Sequence, residues 1–147
     1  MKKGLLTMLL FASVVANAQE ITYKGLKFAV TDSKSKTARV IDEVSSSDAT
    51  SYEVPATIVI GGVTYTVNSI GEEAFKWSKA TSITLPETID SIYASAFNTC
   101  EITSIKLPSK LKYIGGYAFG SSKLTSIEIP SSVEEIGGSV FFTCKNL

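Results

Sequence analysis

The chain has no histidine, and that absence excludes more chemistry than any single residue present supports. Without an imidazole there is no Ser-His or Cys-His nucleophile pair, and the commonest ligand of transition metals is missing. Charge of one sign is missing too, since 14 Lys and Arg balance 14 Asp and Glu. Lysines are scattered rather than clustered, so nothing electrostatic points to nucleic acid or anionic lipid as a partner. No Gly-rich phosphate loop follows a strand and opens a helix. No cofactor and no metal are therefore expected, and the chain does not read as an enzyme.

What is there is a period. Phe75, Phe97, Phe119 and Phe141 stand 22 residues apart, as do Ile70, Ile92, Ile114 and Ile136. Ile83, Ile105 and Ile127 keep the same step, and so do Pro86, Pro108 and Pro130. A fixed period of this size marks a solenoid, in which each repeat is a supersecondary unit whose apolar face is covered by its neighbours. Function is then expected on a surface rather than in a cleft.

At the N-terminus, Lys2 and Lys3 precede an uncharged apolar run from Leu5 to Val15, and Ala16-Asn17-Ala18 supplies small residues where a signal peptidase reads. This predicts a signal peptide over 1–18, cleaved after Ala18, and export to the outside or surface of the cell. The rival reading, a membrane helix, needs ~20 apolar residues and the run is shorter. No transmembrane segment is expected in the mature chain. Cleavage would remove Lys2 and Lys3 and no acid, leaving 12 basic against 14 acidic residues.

Residues 19–66 lack the period. Ile21 and Tyr23, then Leu26, Phe28 and Val30, then Ala38 and Val40, alternate with polar residues and predict short strands joined by hairpin turns. The stretch from Ser45 to Ser51 reads as a solvated loop closed by Pro55. Thr57 to Ile60 and Val63 to Val67 flank Gly61-Gly62, a pair suited to the positive φ of a two-residue hairpin. A terminal repeat would otherwise leave its apolar face open, so this segment is expected to be a β-rich N-terminal cap on repeats running over 67–147, the last of them incomplete.

Within a repeat, Leu124-Thr125-Ser126-Ile127-Glu128-Ile129-Pro130 predicts a bend and a short strand, with Ile127 and Ile129 inward and Ser126 and Glu128 outward. Stacked repeats are expected to build a parallel sheet from these segments, ended by Pro86, Pro108 and Pro130. Gly115-Gly116 and Gly137-Gly138 suggest a tight turn on the return path. Glu72 to Phe75, Ser95 to Phe97 and Tyr117 to Phe119 are expected to form one helical or 3₁₀ turn each.

Residues 102–119, Ile-Thr-Ser-Ile-Lys-Leu-Pro-Ser-Lys-Leu-Lys-Tyr-Ile-Gly-Gly-Tyr-Ala-Phe, resemble the BspA-type leucine-rich repeat, whose units carry Leu-Thr-Ser-Ile-x-Ile-Pro, Ile-Gly, Ala-Phe and a Cys. The resemblance covers residues 67–147 and implies a leucine-rich-repeat solenoid that binds rather than catalyses, on surface or secreted bacterial proteins, some of them resembling adhesins. One departure stands out. Thr88, Lys110 and Ser132 occupy the place where other leucine-rich repeats carry an asparagine ladder.

Cys100 and Cys144 fall at equivalent places two repeats apart. That separates them by ~10 Å if repeats stack at strand spacing, whereas a disulfide needs Cα atoms within ~7 Å. Both are expected to be small buried packing residues, like Ser78 and Ser122 at the same position. Glu72-Glu73 and Glu134-Glu135 read as solvated turns rather than catalytic pairs, because adjacent side chains point apart.

The candidate binding face is the exposed side of the expected sheet, with Ser82, Ser104 and Ser126 in one column and Thr84, Lys106 and Glu128 in the next. Lys106 and Glu128 are one rung apart and placed to pair. Trp77 has no aromatic equivalent in later repeats, so it either packs on the N-terminal segment or stands out as an aromatic anchor. The run from Phe142 to Leu147 leads toward another strand. Truncation is the first reading of that end, beside a partner covering it and end-to-end assembly. The leading function is binding to a host matrix or neighbouring-cell protein. A structural remnant or modular piece of a longer protein is the alternative, and glycan binding a third.

Overall fold

The computed structural model describes residues 19–44 and 49–147. The expected signal peptide and residues 45–48 of the expected loop lie outside the described residues. β1 (Glu20–Tyr23), β2 (Leu26–Asp32) and β3 (Thr37–Glu43) form an antiparallel meander, as the alternation of Ile21, Leu26, Phe28, Ala38 and Val40 requires. Lys24 and Gly25 turn the first hairpin with φ of 48° and 78°, the doubly positive geometry that matches strand twist.

A short strand, β4 (Ser51–Glu53), was not expected at the end of the polar loop. β5 (Thr57–Ile60) and β6 (Val63–Ile70) are antiparallel partners across Gly61 and Gly62, whose φ values of 56° and 80° are those the pair was chosen for. β6 also runs parallel to β3, with Thr37 opposite Thr66 and Val40 opposite Ile70. Its last residues then start the repeats, because Ser69 and Ile70 pair in parallel with β8 (Ser91–Ile92). β9 (Tyr113–Ile114) and β10 (Glu135–Ile136) continue the same ladder one repeat at a time. The 22-residue step is thus a step of one rung.

The regular ladder runs through the Ile-Gly segments, and not through the Ser-Ile-x-Ile-Pro segments that were expected to carry it. Of the latter, β7 (Ser82–Thr84) alone among the described residues is a strand, and it pairs with β4 rather than with a later repeat. Each rung at the Ile position is secured from below: Lys112 N–H donates to Asp90 O and Gly115 N–H to Ile92 O, both at 2.8 Å.

The turns before each Phe are not helical. Ala74, Lys76 and Ser78 donate three residues back, while Glu73, Phe75 and Trp77 between them donate to Ala94, Ala96 and Asn98 of the next repeat at 3.1, 2.8 and 3.0 Å. Ser95, Phe97 and Thr99 do the same toward Gly116, Ala118 and Gly120. The alternation needs a left-handed residue at each end. Glu73 and Trp77 have φ of 59° and 63°, and Ser95, Thr99, Tyr117, Ser121, Ser139 and Thr143 repeat the pattern. A left-handed residue with a side chain costs roughly 1–2 kcal/mol. A fully bonded row of amides offsets it, since a buried unpaired N–H costs a comparable amount.

Those turns drop the phenylalanines into a column. Phe75 and Phe97 stack with centroids 5.3 Å apart, Phe97 and Phe119 at 5.2 Å, and Phe119 and Phe141 at 5.9 Å. Tyr52 of β4 extends the column beyond its first Phe. Ile70, Ile92, Ile114, Ile89, Leu111 and Leu124 fill the rest of the interior and are fully buried.

Two glycines owe their place to contact between repeats rather than to a turn. A Cβ at Gly115 would lie 2.5 Å from Ala94 N, and one at Gly137 would lie 2.3 Å from Gly116 N. Neither residue has a positive φ. The expected Gly-Gly turn is replaced by close backbone approach.

Candidate functional site

Thr88 and Ser132 show what became of the asparagine ladder. Thr88 Oγ1 donates to Val67 O and Ser132 Oγ to Leu111 O, each at 2.7 Å and each to the repeat before. A hydroxyl thus ties neighbouring repeats at two of the three positions. Lys110 makes no such bond among the described residues.

The cysteines are free, Cys100 buried and Cys144 partly so. Cys144 Sγ contacts Phe119 O at 3.0 Å, and burial pushes the Cys100 thiol up to about 11. A thiol so raised is protonated at neutral pH and a poor nucleophile. Some acidic residues are engaged in surface pairing: Glu101 meets both Lys79 and Lys123, at 3.6 and 3.4 Å, and Glu134 meets Lys112 at 3.5 Å. Among the described residues, no group of three His, Cys, Asp or Glu side chains is placed to hold a metal ion.

The expected binding face is divided. Ser82 and Thr84 are exposed, but their strand is closed against β4, with Ser51 opposite Ser82, Glu53 opposite Thr84, and Val54 N–H donating to Thr84 O at 3.0 Å. Two rungs further on, Thr125 N–H donates to Thr103 O at 3.0 Å. Beyond that bond the two segments part, and among the described residues no hydrogen bond reaches the backbone of residues 104–107 or 126–129.

A groove of about 680 Å³ opens there. Ile105, Leu107 and Ile127 give it apolar lining, and Ser104, Lys106, Ser126 and Glu128 line it with polar groups. Four of the seven expected residues are therefore brought together. Glu87 and Ser109 belong to the groove as well, and were not foreseen, although they occupy equivalent places one repeat apart. Glu87 accepts from Ser109 N–H at 2.8 Å and from its hydroxyl at 2.7 Å. Those two bonds, hydroxyl first, hold its carboxyl below the usual carboxylate range.

Lys106 and Glu128 do not pair with each other, contrary to expectation, and neither takes part in any ion pair among the described residues. The parting of their segments removes the rung geometry that pairing needs. Trp77 does not pack on the N-terminal segment. It is 66% exposed, its ring lies 4.4 Å from the Lys76 ammonium, and it is not among the residues lining the groove.

A family model for the BspA-type leucine-rich repeat region, comprising six copies, matches residues 62–147. The chain belongs to that family. No curated protein matches it. Among solved structures it is similar to a leucine-rich repeat protein from Bacteroides capillosus, with 30% identity and a TM-score of 0.72 over 80% of this chain and 86% of that one. It is also similar to the pneumococcal vaccine antigen PcpA, at 25% identity and a TM-score of 0.74 over 88% of this chain and 36% of that one. A leucine-rich cell surface protein from Faecalibacterium prausnitzii shares the fold, at 23% identity and a TM-score of 0.67, over 90% of this chain and 42% of that one. The chain thus spans less than half the length of the latter two proteins.

Proposed function

We propose that this protein is an exported, surface-associated binding module, a repeat solenoid with residues 19–66 as its β-rich cap, which attaches to a protein of a host matrix or of a neighbouring cell. The observation that carries this reading is the groove, where Ser104, Lys106, Ser126 and Glu128 meet over apolar lining. Broad, shallow surfaces with a few polar groups and an apolar floor suit protein partners better than small substrates. Descriptions of two similar structures, a vaccine antigen and a cell surface protein, support location at the surface. Export rests on the leader read in residues 1–18.

The experiment replaces Thr84, Lys106 and Glu128 together by tyrosine, which removes one positive and one negative charge and so keeps the net charge. Adherence to immobilised matrix proteins and to co-resident bacterial cells is then compared with the parent at matched folding. A loss of adherence supports the reading. Undiminished adherence moves the site away from this face, with exposed Trp77 the next residue to replace.

The modular-piece reading draws on a different observation, the 36% and 42% of the longer similar chains that this one spans. It predicts no adherence by the parent on its own.

A further inference from the structure

We propose that the open seam between residues 104–107 and 126–129 receives an extended peptide segment of the partner, which joins the fold as an added strand. This rests on the reading that the face is a binding surface, and it names what part of the partner is held there.

Three observations converge on a strand rather than on a globular patch or a sugar. The first is the backbone. Ile105 and Leu107 are buried and Ile127 and Ile129 across the seam are partly buried, yet among the described residues the N–H and C=O groups of all four have no backbone hydrogen-bond partner. A row of unpaired backbone groups along an open groove is a template for pairing with another strand. Two rungs earlier on this side of the fold, β4 and β7 are joined by three residue pairs, which shows what a filled seam looks like here.

The second is the lining. Ile105, Leu107 and Ile127 form an apolar floor beneath exposed Ser104 and Ser126, with a volume of about 680 Å³. A strand sends alternate side chains to one face, so an occupant with apolar residues at every second position would place them on this floor.

The third is charge. Lys106 and Glu128 stand on neighbouring segments of the groove, exposed and free of any ion pair among the described residues. Glu87 is already taken up by Ser109. The occupant that complements both free charges carries an acidic residue for Lys106 and a basic one for Glu128, among the polar positions of its alternating pattern. Main-chain pairing supplies affinity in such additions, while side chains select the sequence.

The test uses the full chain and a short synthetic peptide alternating valine with polar residues, one glutamate and one lysine among them. Its control is the same peptide N-methylated at alternate residues, which keeps side chains and charge but removes main-chain donors. Calorimetry should show binding of the parent peptide and binding about tenfold weaker for the methylated one, equivalent to about 1.4 kcal/mol. Amide exchange at Ile105, Leu107, Ile127 and Ile129 should slow when the parent peptide is present. Ser126→Trp, which fills the groove from an exposed position, should abolish binding without unfolding the chain.

Equal binding of the two peptides would overturn the added strand, since side chains alone would then hold the ligand. So would binding of neither peptide. If that failure accompanied loss of adherence in the triple tyrosine variant, the face would stand as a binding surface and the strand would fall. Undiminished adherence in that variant would remove the face itself.

Discussion

Phe97 and Phe119 lie ring on ring, centroids 5.2 Å apart and planes within 3°, and the amide of Phe97 reaches into the same neighbouring repeat, to Ala118 O at 2.7 Å. One residue thus provides both the packing and the hydrogen bond that join two repeats. Phe119→Ala should cost about 3–5 kcal/mol, because its buried ring touches the column on both sides. Lys106→Ala should stay within about 0.5 kcal/mol. Urea titration of both variants checks the difference, and equal effects would reverse the inward and outward assignment.

The glycines make a sharper test of how close the repeats come. Gly115→Ala places a methyl 2.5 Å from Ala94 N, a backbone atom that cannot turn aside as a side chain can. Overpacking of this kind costs about 1–3 kcal/mol. Gly116→Ala meets its nearest atom at 3.2 Å, and the thermal midpoint should fall less for it than for Gly115→Ala.

Thr88 and Ser132 tie their repeats to the one before through a hydroxyl, and Lys110 breaks the series. Ser132→Ala should lose about 0.5–1.5 kcal/mol. Lys110→Thr should gain a similar or smaller amount by supplying the missing bond. Chemical denaturation of the pair checks the signs, which should be opposite.

Cys100 sets a pH dependence at the alkaline end. Its thiol titrates near 9.0 when unfolded and at about 11 in the fold, so the folded state holds the proton longer. The contribution is complete below pH 9 and is lost as pH rises through the folded value. Cys100→Ser should flatten the fall in stability over that window. Iodoacetamide at pH 8 should label Cys144 first and reach Cys100 only on unfolding.

Much of this was legible in the chain. Alternation gave the meander, Gly61-Gly62 gave the hairpin of β5 and β6, and the period gave the core column. The ladder was misplaced for a physical reason: Ser-Ile-Glu-Ile-Pro alternates as a strand does, whereas Tyr113-Ile114 is too short to show any alternation. The left-handed turns were invisible because Glu73, Trp77, Ser95 and Thr99 adopt them without a glycine to mark the place. β4 was hidden by the serine-rich sequence that precedes it. Ser104, Lys106, Ser126 and Glu128 share one groove, which depends on a parting of two segments that the pattern of side chains does not encode.

That parting is the feature on which the functional reading turns, and residue-resolved amide exchange of the free protein measures it most directly. Phe75, Phe97 and Phe119, whose N–H groups donate to Ala96, Ala118 and Val140, should exchange slowly. Ile105, Leu107, Ile127 and Ile129, equally repetitive in sequence but unpaired, should exchange far faster. Protection of these four matching that of the phenylalanines would show a closed sheet across the face, and would contradict the open groove.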